Sequence, residues 1–181
     1  YFSAPGRTEV GGNHTDHQRG RVLAGAVNLD TVAAVRENDQ RLIRIQSKGY
    51  PLCSVSIDEL EVRASEVNST PALIRGVAAR FAQLGCTLGG FDAYCESSVL
   101  PGSGLSSSAA FEVLLCAIFD KLYAGDRLDA KKRAIISQYA ENVYFGKPSG
   151  LMDQMASSVG GLCYIDFQDP DPQVVAIAYD F

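Results

Sequence analysis

The sequence predicts an α+β (α/β two-layer) fold in which helices pack on a sheet, and three observations carry that expectation. Alternating or β-branched apolar runs occur at residues 21–35, 41–47, 52–57, 89–99 and 160–167. Apolar residues recur at helical spacing over 71–84, 107–123 and 131–145. The composition, 46% hydrophobic in 181 residues, supplies enough apolar surface for the core of one domain or of a large excerpt of one. No internal repeat or low-complexity tract divides the chain.

After a polar start, Arg21 to Val35 reads RVLAGAVNLDTVAAV, a dense β-branched stretch. The turn-like Glu37-Asn38-Asp39 and the alternating RLIRIQS that follow complete an expected β-hairpin. LCSVSI at 52–57 alternates again, and the charged, irregular segment Asp58 to Ser69 reads as a surface connection. From Pro71 to Leu84 the residues Leu73, Ile74, Val77, Ala78 and Phe81 share a helical face. Thr70 stands as its cap, Pro71 lies in the first turn and Gly85 is the stop. GGFDAYCESSV forms a strand ending at Leu100-Pro101, and a second helix runs from about Ser107 to Tyr123. The third helix, Lys131 to Phe145, is expected to bury Ala134, Ile135, Tyr139, Ala140 and Val143. Gly160 to Phe167 is a last strand before the turn DPDP.

The net charge of −5 argues against a broad electrostatic grip on nucleic acid or an anionic membrane, which needs clustered Lys and Arg, and points to small-molecule partners. Five cysteines in apolar neighbourhoods, without CxxC spacing, suit reduced core thiols in a cytoplasmic protein. No apolar run approaches the roughly 20 residues of a membrane helix, and no secretory signal pattern opens the chain. The sequence begins at Tyr1 and is inside a motif by residue 4, so an excerpt of something longer is expected.

Three blocks carry chemistry. In the first, Leu100-Pro101-Gly102-Ser103-Gly104-Leu105-Ser106-Ser107-Ser108-Ala109-Ala110 joins a strand to a helix. Glycines let the backbone turn close to a ligand, and the helix start leaves free N–H groups and a positive dipole end for an anion. The consecutive hydroxyls add donors and an oxygen suited to Mg²⁺. The loop is neither GxxxxGK[ST] nor GxGxxG, and a Ser-capped helix after a flexible turn remains an equal reading of it taken alone.

In the second block, GKPSGLMDQM at 146–155, Gly146 and Pro148 break the third helix and place Asp153 at the start of another helical turn. There Asp153 is either a first-turn charge or an acid that orients a substrate hydroxyl or takes its proton in phosphoryl transfer. Glu141, upstream on the helix, reads by itself as a solvated acid. The third block, GGNHTDH at 11–17, holds both histidines of the chain. The Gly-Gly start argues for a loop rather than a helical metal site, and Thr15 or Asp16 can cap a polar turn there.

Together the blocks resemble the GHMP family of small-molecule kinases, and within it the galactokinases. APGRTEVGGNHTDH at 4–17 is similar to the sugar signature GRxNxxGEHxDY, LPGSGLSSSAA at 100–110 to the family's phosphate loop, and GKPSGLMDQ at 146–154 to GxPxGxMDQ. The resemblance implies a GHMP kinase N-terminal domain over residues 1–181, truncated slightly at its start. It also implies a ribosomal protein S5 domain 2-like fold, a mixed sheet with helices on one face, and no counterpart here of the family's C-terminal domain. It implies ATP-dependent phosphorylation of the anomeric hydroxyl of galactose, with ATP as co-substrate and Mg²⁺ as cofactor. Asp153 then acts as base or hydroxyl-orienting acid, and Arg7 as the cation that stabilises developing charge. Ser107 or Ser108 with Glu141 would hold Mg²⁺, and Gly102, Ser103, Gly104, Leu105, Ser106, Ser107 and Ser108 would cradle phosphate. Asn13, His14, Asp16, Gly150 and Asp153 match the sugar contacts.

The chain departs from the signature at Asn13, where Glu is usual, at His17, where Tyr is usual, and at Glu9, where Asn is usual. Asn13 keeps an acceptor and gains donors but loses the charge. A kinase for arabinose, a uronic acid or N-acetylgalactosamine is the alternative this leaves. A non-catalytic sugar sensor ranks behind both, because SSSAA, Arg7 and Asp153 are all present.

Overall fold

The computed structural model describes residues 1–179. Its strands are β1 (Phe2–Gly11), β2 (Arg21–Asn38), β3 (Leu42–Ser47), β4 (Cys53–Ser56), β5 (Gly90–Ser97), β6 (Leu162–Asp166) and β7 (Gln173–Ile177). Its helices are α1 (Thr70–Gln83), α2 (Ser107–Phe119), α3 (Ala130–Tyr139) and α4 (Met152–Val159). The strands form one mixed sheet in the order β4-β3-β5-β2-β6-β7, with β1 also paired to β2. The long β2 organises it. Its C-terminal half pairs with β5, its N-terminal half pairs with β6, and β1 accompanies both halves.

The expected hairpin of residues 21–35 with 41–47 does not form. β5 lies between β2 and β3 and pairs antiparallel with the first and parallel with the second. The local turn is real, since Asn38 Nδ2 donates to the Leu42 carbonyl at 3.1 Å, but it splays the strands enough to admit a third. Gly90 makes the insertion possible, because a Cβ there would lie 2.7 Å from the backbone nitrogen of Leu42. Side-chain alternation in β3 and β5 is as expected: Ile43, Ile45, Phe91, Ala93 and Cys95 are buried, while Arg44 and Tyr94 point to the other face. The helices cover the first face. Phe119 of α2 stacks on Phe81 of α1 at 5.4 Å and meets Phe91 of β5 edge-on at 5.5 Å, tying two helices to the sheet.

The polar start is a strand after all. Its inward residues are small or polar rather than apolar, so no hydrophobic period marks it, and the edge of β2 recruits it by backbone pairing. A register shift between Pro5 and Arg7 turns both Gly6 and Arg7 to the buried side. That irregularity aims Arg7 inward.

Helix α1 follows expectation except that Ser69, not Thr70, is the residue at its N-cap. Helices α2 and α3 continue as wide π-helical turns, Asp120–Ala124 and Ala140–Phe145. The buried side of the third helix differs from the expected one. Ala134, Ile136, Ser137, Ala140, Glu141 and Tyr144 are inside, whereas Ile135 and Val143 are exposed. Polar partners draw that face inward: Ser137 meets Cys116, and the Tyr144 hydroxyl donates to the Leu60 carbonyl at 2.7 Å. Glu141 is therefore not a solvated acid but a buried one, 2% exposed.

After the DPDP turn the chain returns as β7, an edge strand that sequence reading passed over. All five cysteines are free thiols, and burial pushes Cys116 up to about 12. Among the described residues no helix is long and apolar enough to cross a membrane.

Candidate functional site

The segment from Leu100 to Ser106 leaves β5 and enters α2 through two left-handed glycines, Gly102 and Gly104. Ser103 Oγ donates to the Leu100 carbonyl at 2.7 Å and closes the turn. Ser106 occupies the N-cap position of α2 in a left-handed conformation, φ 55°, which is unusual for a residue with a Cβ. Its hydroxyl does not return to the helix amides, so the reading of a Ser-capped helix fails. Instead it donates to Asp153 Oδ2. The opening amides of α2 are left without a capping side chain, at the positive end of a helix dipole, with the half-buried Ser107 and Ser108 in its first turn.

Arg7 joins this loop to Asp153. Its Nε donates to Asp153 Oδ1 at 2.7 Å, its Nη1 to the Gly104 carbonyl at 2.8 Å, and its backbone N–H to the Leu105 carbonyl at 3.0 Å. The guanidinium is 6% exposed as a residue, so its two side-chain bonds are made largely away from water. Burial raises the Asp153 carboxyl, and the bonds from Arg7 and Ser106 together outweigh it, leaving the acid below its ordinary range; His14 adds to the lowering. Asp153 lies in the first turn of α4, yet its oxygens face Arg7 and Ser106.

GGNHTDH meets the start of α4. Thr15 Oγ1 donates to the Gly12 carbonyl at 2.8 Å, making the polar turn, and Asn13 and His14 both adopt left-handed conformations. Glu9 holds this turn: one of its oxygens accepts the His14 backbone N–H at 3.0 Å and the other meets His14 Nδ1. Asp16 reaches across to α4, its Oδ2 accepting the Met152 N–H at 3.0 Å. Asp16 Oδ1 is buried and has no hydrogen-bond donor, although His17 Nδ1 stands 2.9 Å away in poor alignment. A buried carboxylate oxygen in that state can accept a further hydrogen bond. Gly150 packs directly on this carboxylate, and a Cβ there would collide with it.

Glu141 lies behind Asp153. Lys147 Nζ is 3.0 Å from its Oε1, while Ser149 Oγ and Gln154 Nε2 donate to its Oε2, the latter at 2.7 Å. Gln154 Nε2 also donates to Glu112 of α2, at 3.0 Å. Glu141 and the serine hydroxyls that open α2 offer hard oxygens of the kind Mg²⁺ takes. A Mg²⁺ ion held here would complete its shell with phosphate oxygens and water. Among the described residues no cluster of three or more His, Cys, Asp or Glu side chains is placed to hold an ion.

The fold thus brings Arg7, Asp153, Gly104, Leu105 and Ser106 into one contact network, with Asp16 and Gly150 beside it. No side-chain contact links Asn13 to that network, and its side chain lies on the exposed rim. Sequence reading noted Glu9 only as a departure from the signature and missed Glu112, Lys147, Ser149 and Gln154. A signal for Glu112 was present: a single acid inside the apolar stretch AAFEVLLCAIF.

Comparison with known proteins agrees with this layout. The pattern of the GHMP kinases N terminal domain matches residues 72–161, and the galactokinase galactose-binding signature matches residues 1–37. A galactokinase of Streptomyces coelicolor is 36% identical over 93% of this chain and 44% of its own length. One of Clostridium tetani is 31% identical over 88% of this chain and 40% of its own. The crystal structure of Lactococcus lactis galactokinase complexed with galactose superposes with a TM-score of 0.86 at 25% identity, covering 98% of this chain and 47% of that one. The chain therefore spans less than half the length of the curated relatives it matches.

Proposed function

From the premise that this chain belongs to the GHMP kinases, as their N-terminal domain preceded by a galactokinase galactose-binding signature, we propose that it forms part of a galactokinase. The protein transfers the γ-phosphoryl group of ATP to the anomeric hydroxyl of galactose, giving galactose 1-phosphate and ADP. The observation that carries the reading is the bridge made by Arg7, which binds the acid and the phosphate loop with one guanidinium. Phosphoryl transfer asks little covalent chemistry of the protein and much positioning, and such a bridge fixes the hydroxyl-binding acid relative to the phosphate site.

Asp153 accepts a hydrogen bond from the attacking hydroxyl. Its carboxyl is held low, so it is a weak base, and orientation with late proton transfer is the role that suits it. Arg7 stabilises charge that grows on the transferred group. The amides of Gly102 to Ser108 receive the phosphates. Glu141 with Ser107 or Ser108 would hold Mg²⁺, which when bound would neutralise phosphate charge. Asp16, with an unfilled buried acceptor, reads adjacent ring hydroxyls, with His14 and Asn13 at the rim. Free, mostly buried thiols and the absence of a membrane-length helix among the described residues support a cytoplasmic site of action.

A panel of sugars with ATP, followed by ADP release in the full-length protein, tests this. Galactose is expected to give the highest kcat/KM. A preference for arabinose, a uronic acid or N-acetylgalactosamine would instead establish the second reading, which the Glu9 carboxylate tethered to His14 and the uncharged Asn13 favour. Gly150→Ala is expected to raise the KM for sugar about tenfold, the equivalent of about 1.4 kcal/mol, with a smaller change in kcat, because the added methyl displaces Asp16. An unchanged KM would remove Asp16 from the sugar contacts.

A further inference from the structure

Glu112 takes no part in the reading above, yet it is completely buried, at 0% exposure, on the helix that follows the phosphate loop. A hydrophobic residue of the same shape would be cheaper to bury there. Its only hydrogen bond among the described residues is the one its Oε2 accepts from Gln154 Nε2, at 3.0 Å, and its Oε1 has no partner. Gln154, 1% exposed, donates its amide nitrogen to two acids, Glu112 and Glu141, and its own carbonyl oxygen has no partner among the described residues. Two carboxyl groups that share one amide donor do not both ionise readily. Burial, reinforced by the nearby Glu141, pushes the Glu112 carboxyl well above the usual range. A cation reaches only the other acid, where Lys147 stands 3.0 Å from Glu141. Gln154 is fixed between the two acids by its two hydrogen bonds.

We propose that Glu112 is a positioning residue: through the Gln154 amide it sets the orientation in which the Glu141 carboxylate meets a divalent cation. This rests on the reading of Glu141 as a cation ligand. Glu141 has a single-bonded side chain with freedom at its terminal torsion, and of the contacts it makes Lys147 and Ser149 lie on the loop after the helix. Among the described residues only the Gln154 bond connects it to the interior, and Glu112 accepts from the same Gln154 Nε2 and so holds that amide in place. The arrangement is an outer layer of ligand support contributed by α2, the same helix whose first turn offers Ser107 and Ser108.

The test is Mn²⁺ uptake by the full-length protein saturated with a non-hydrolysable ATP analogue, followed by the EPR signal of free Mn²⁺. Glu112→Leu and Gln154→Met are each expected to weaken Mn²⁺ binding about 10- to 100-fold, and the double variant no further than the worse single one. Glu112→Gln, which still offers a neutral carbonyl to Gln154, is expected to retain the wild-type affinity. If Glu141→Gln weakens Mn²⁺ binding while Gln154→Met and Glu112→Leu, folded by circular dichroism, leave it unchanged, the positioning role is wrong. Should Glu112→Leu not fold, Gln154→Met decides alone. If Glu141→Gln also leaves Mn²⁺ binding unchanged, the reading of Glu141 as a ligand falls first and takes this inference with it.

Discussion

Asp153→Asn is expected to lower kcat by about 10²- to 10⁴-fold in the full-length protein, with sugar affinity close to wild type. The substitution keeps the side chain's size, so the amide oxygen can still accept from Arg7 Nε, now 2.7 Å from Oδ1. What it loses is the negative charge, and with it the ability to accept the hydroxyl proton and to hold the hydroxyl as a charge-assisted acceptor. In the proposed reading, ground-state contacts to the ring run mainly through Asp16, which accepts from the Met152 N–H and is untouched by the substitution. The distinguishing result is therefore a fall in kcat without a matching rise in sugar dissociation constant, read from a coupled ADP assay and from calorimetry. Turnover at the wild-type level would remove Asp153 from the chemistry.

Much of the fold was legible because its elements carry strong periods. Helix α1, with Pro71 in its first turn and five apolar residues on one face, formed where expected, as did the strands at 42–47, 53–56 and 90–97. The failures share a cause. β1 and the buried side of the third helix face the candidate site, where polar groups replace the apolar residues that a period is made of. Arg7, Ser137 and Glu141 are buried because each has partners contributed by distant segments, and nothing local announces them. The hairpin that did not form was a failure of another kind. Turn chemistry at Asn38 is local, but which strand fills the edge of β2 is decided by the whole sheet.

The motifs behaved differently from the periods. LPGSGLSSSAA and GKPSGLMDQ each allowed a bland reading as a capped helix end. The structure distinguishes the readings by where the side chains go. Ser106 could have capped α2 and Asp153 could have served the amides of α4, but each is directed at the other, across 47 residues of sequence. Single motifs could not disclose that contact, and their occurrence in family order could only imply it.

Arg7→Met should have the second large effect, a fall in turnover of about 10²- to 10³-fold, the usual loss when one preorganised charge donor is removed. Methionine keeps the length of the buried stem and removes the charge, leaving Asp153 without the cation that offsets its burial and leaving the Gly104 carbonyl unpaired. Burial is the largest influence on the Asp153 carboxyl and acts upward; without Arg7 only the Ser106 bond, with a weaker contribution from His14, opposes it. The acid limb of the pH–rate profile should consequently move to higher pH in the variant. Stability should depend on pH less steeply than in wild type. In the wild-type fold the carboxyl sits below its unfolded value of about 3.9, so its contribution is present above that pH and is lost as pH falls through the folded pKa. In Arg7→Met the folded pKa is higher than in wild type, so less of that contribution remains. In thermal unfolding at falling pH the variant should therefore lose less stability through this carboxyl than wild type does. Arg7→Lys separates charge from geometry: it restores a cation near Asp153 but not both side-chain bonds, so it should bring the pH limb back toward wild type while recovering only part of the turnover. Were the pH limb of Arg7→Met to stay where it is in wild type, the pairing of Arg7 with Asp153 would not be what holds the acid ionised.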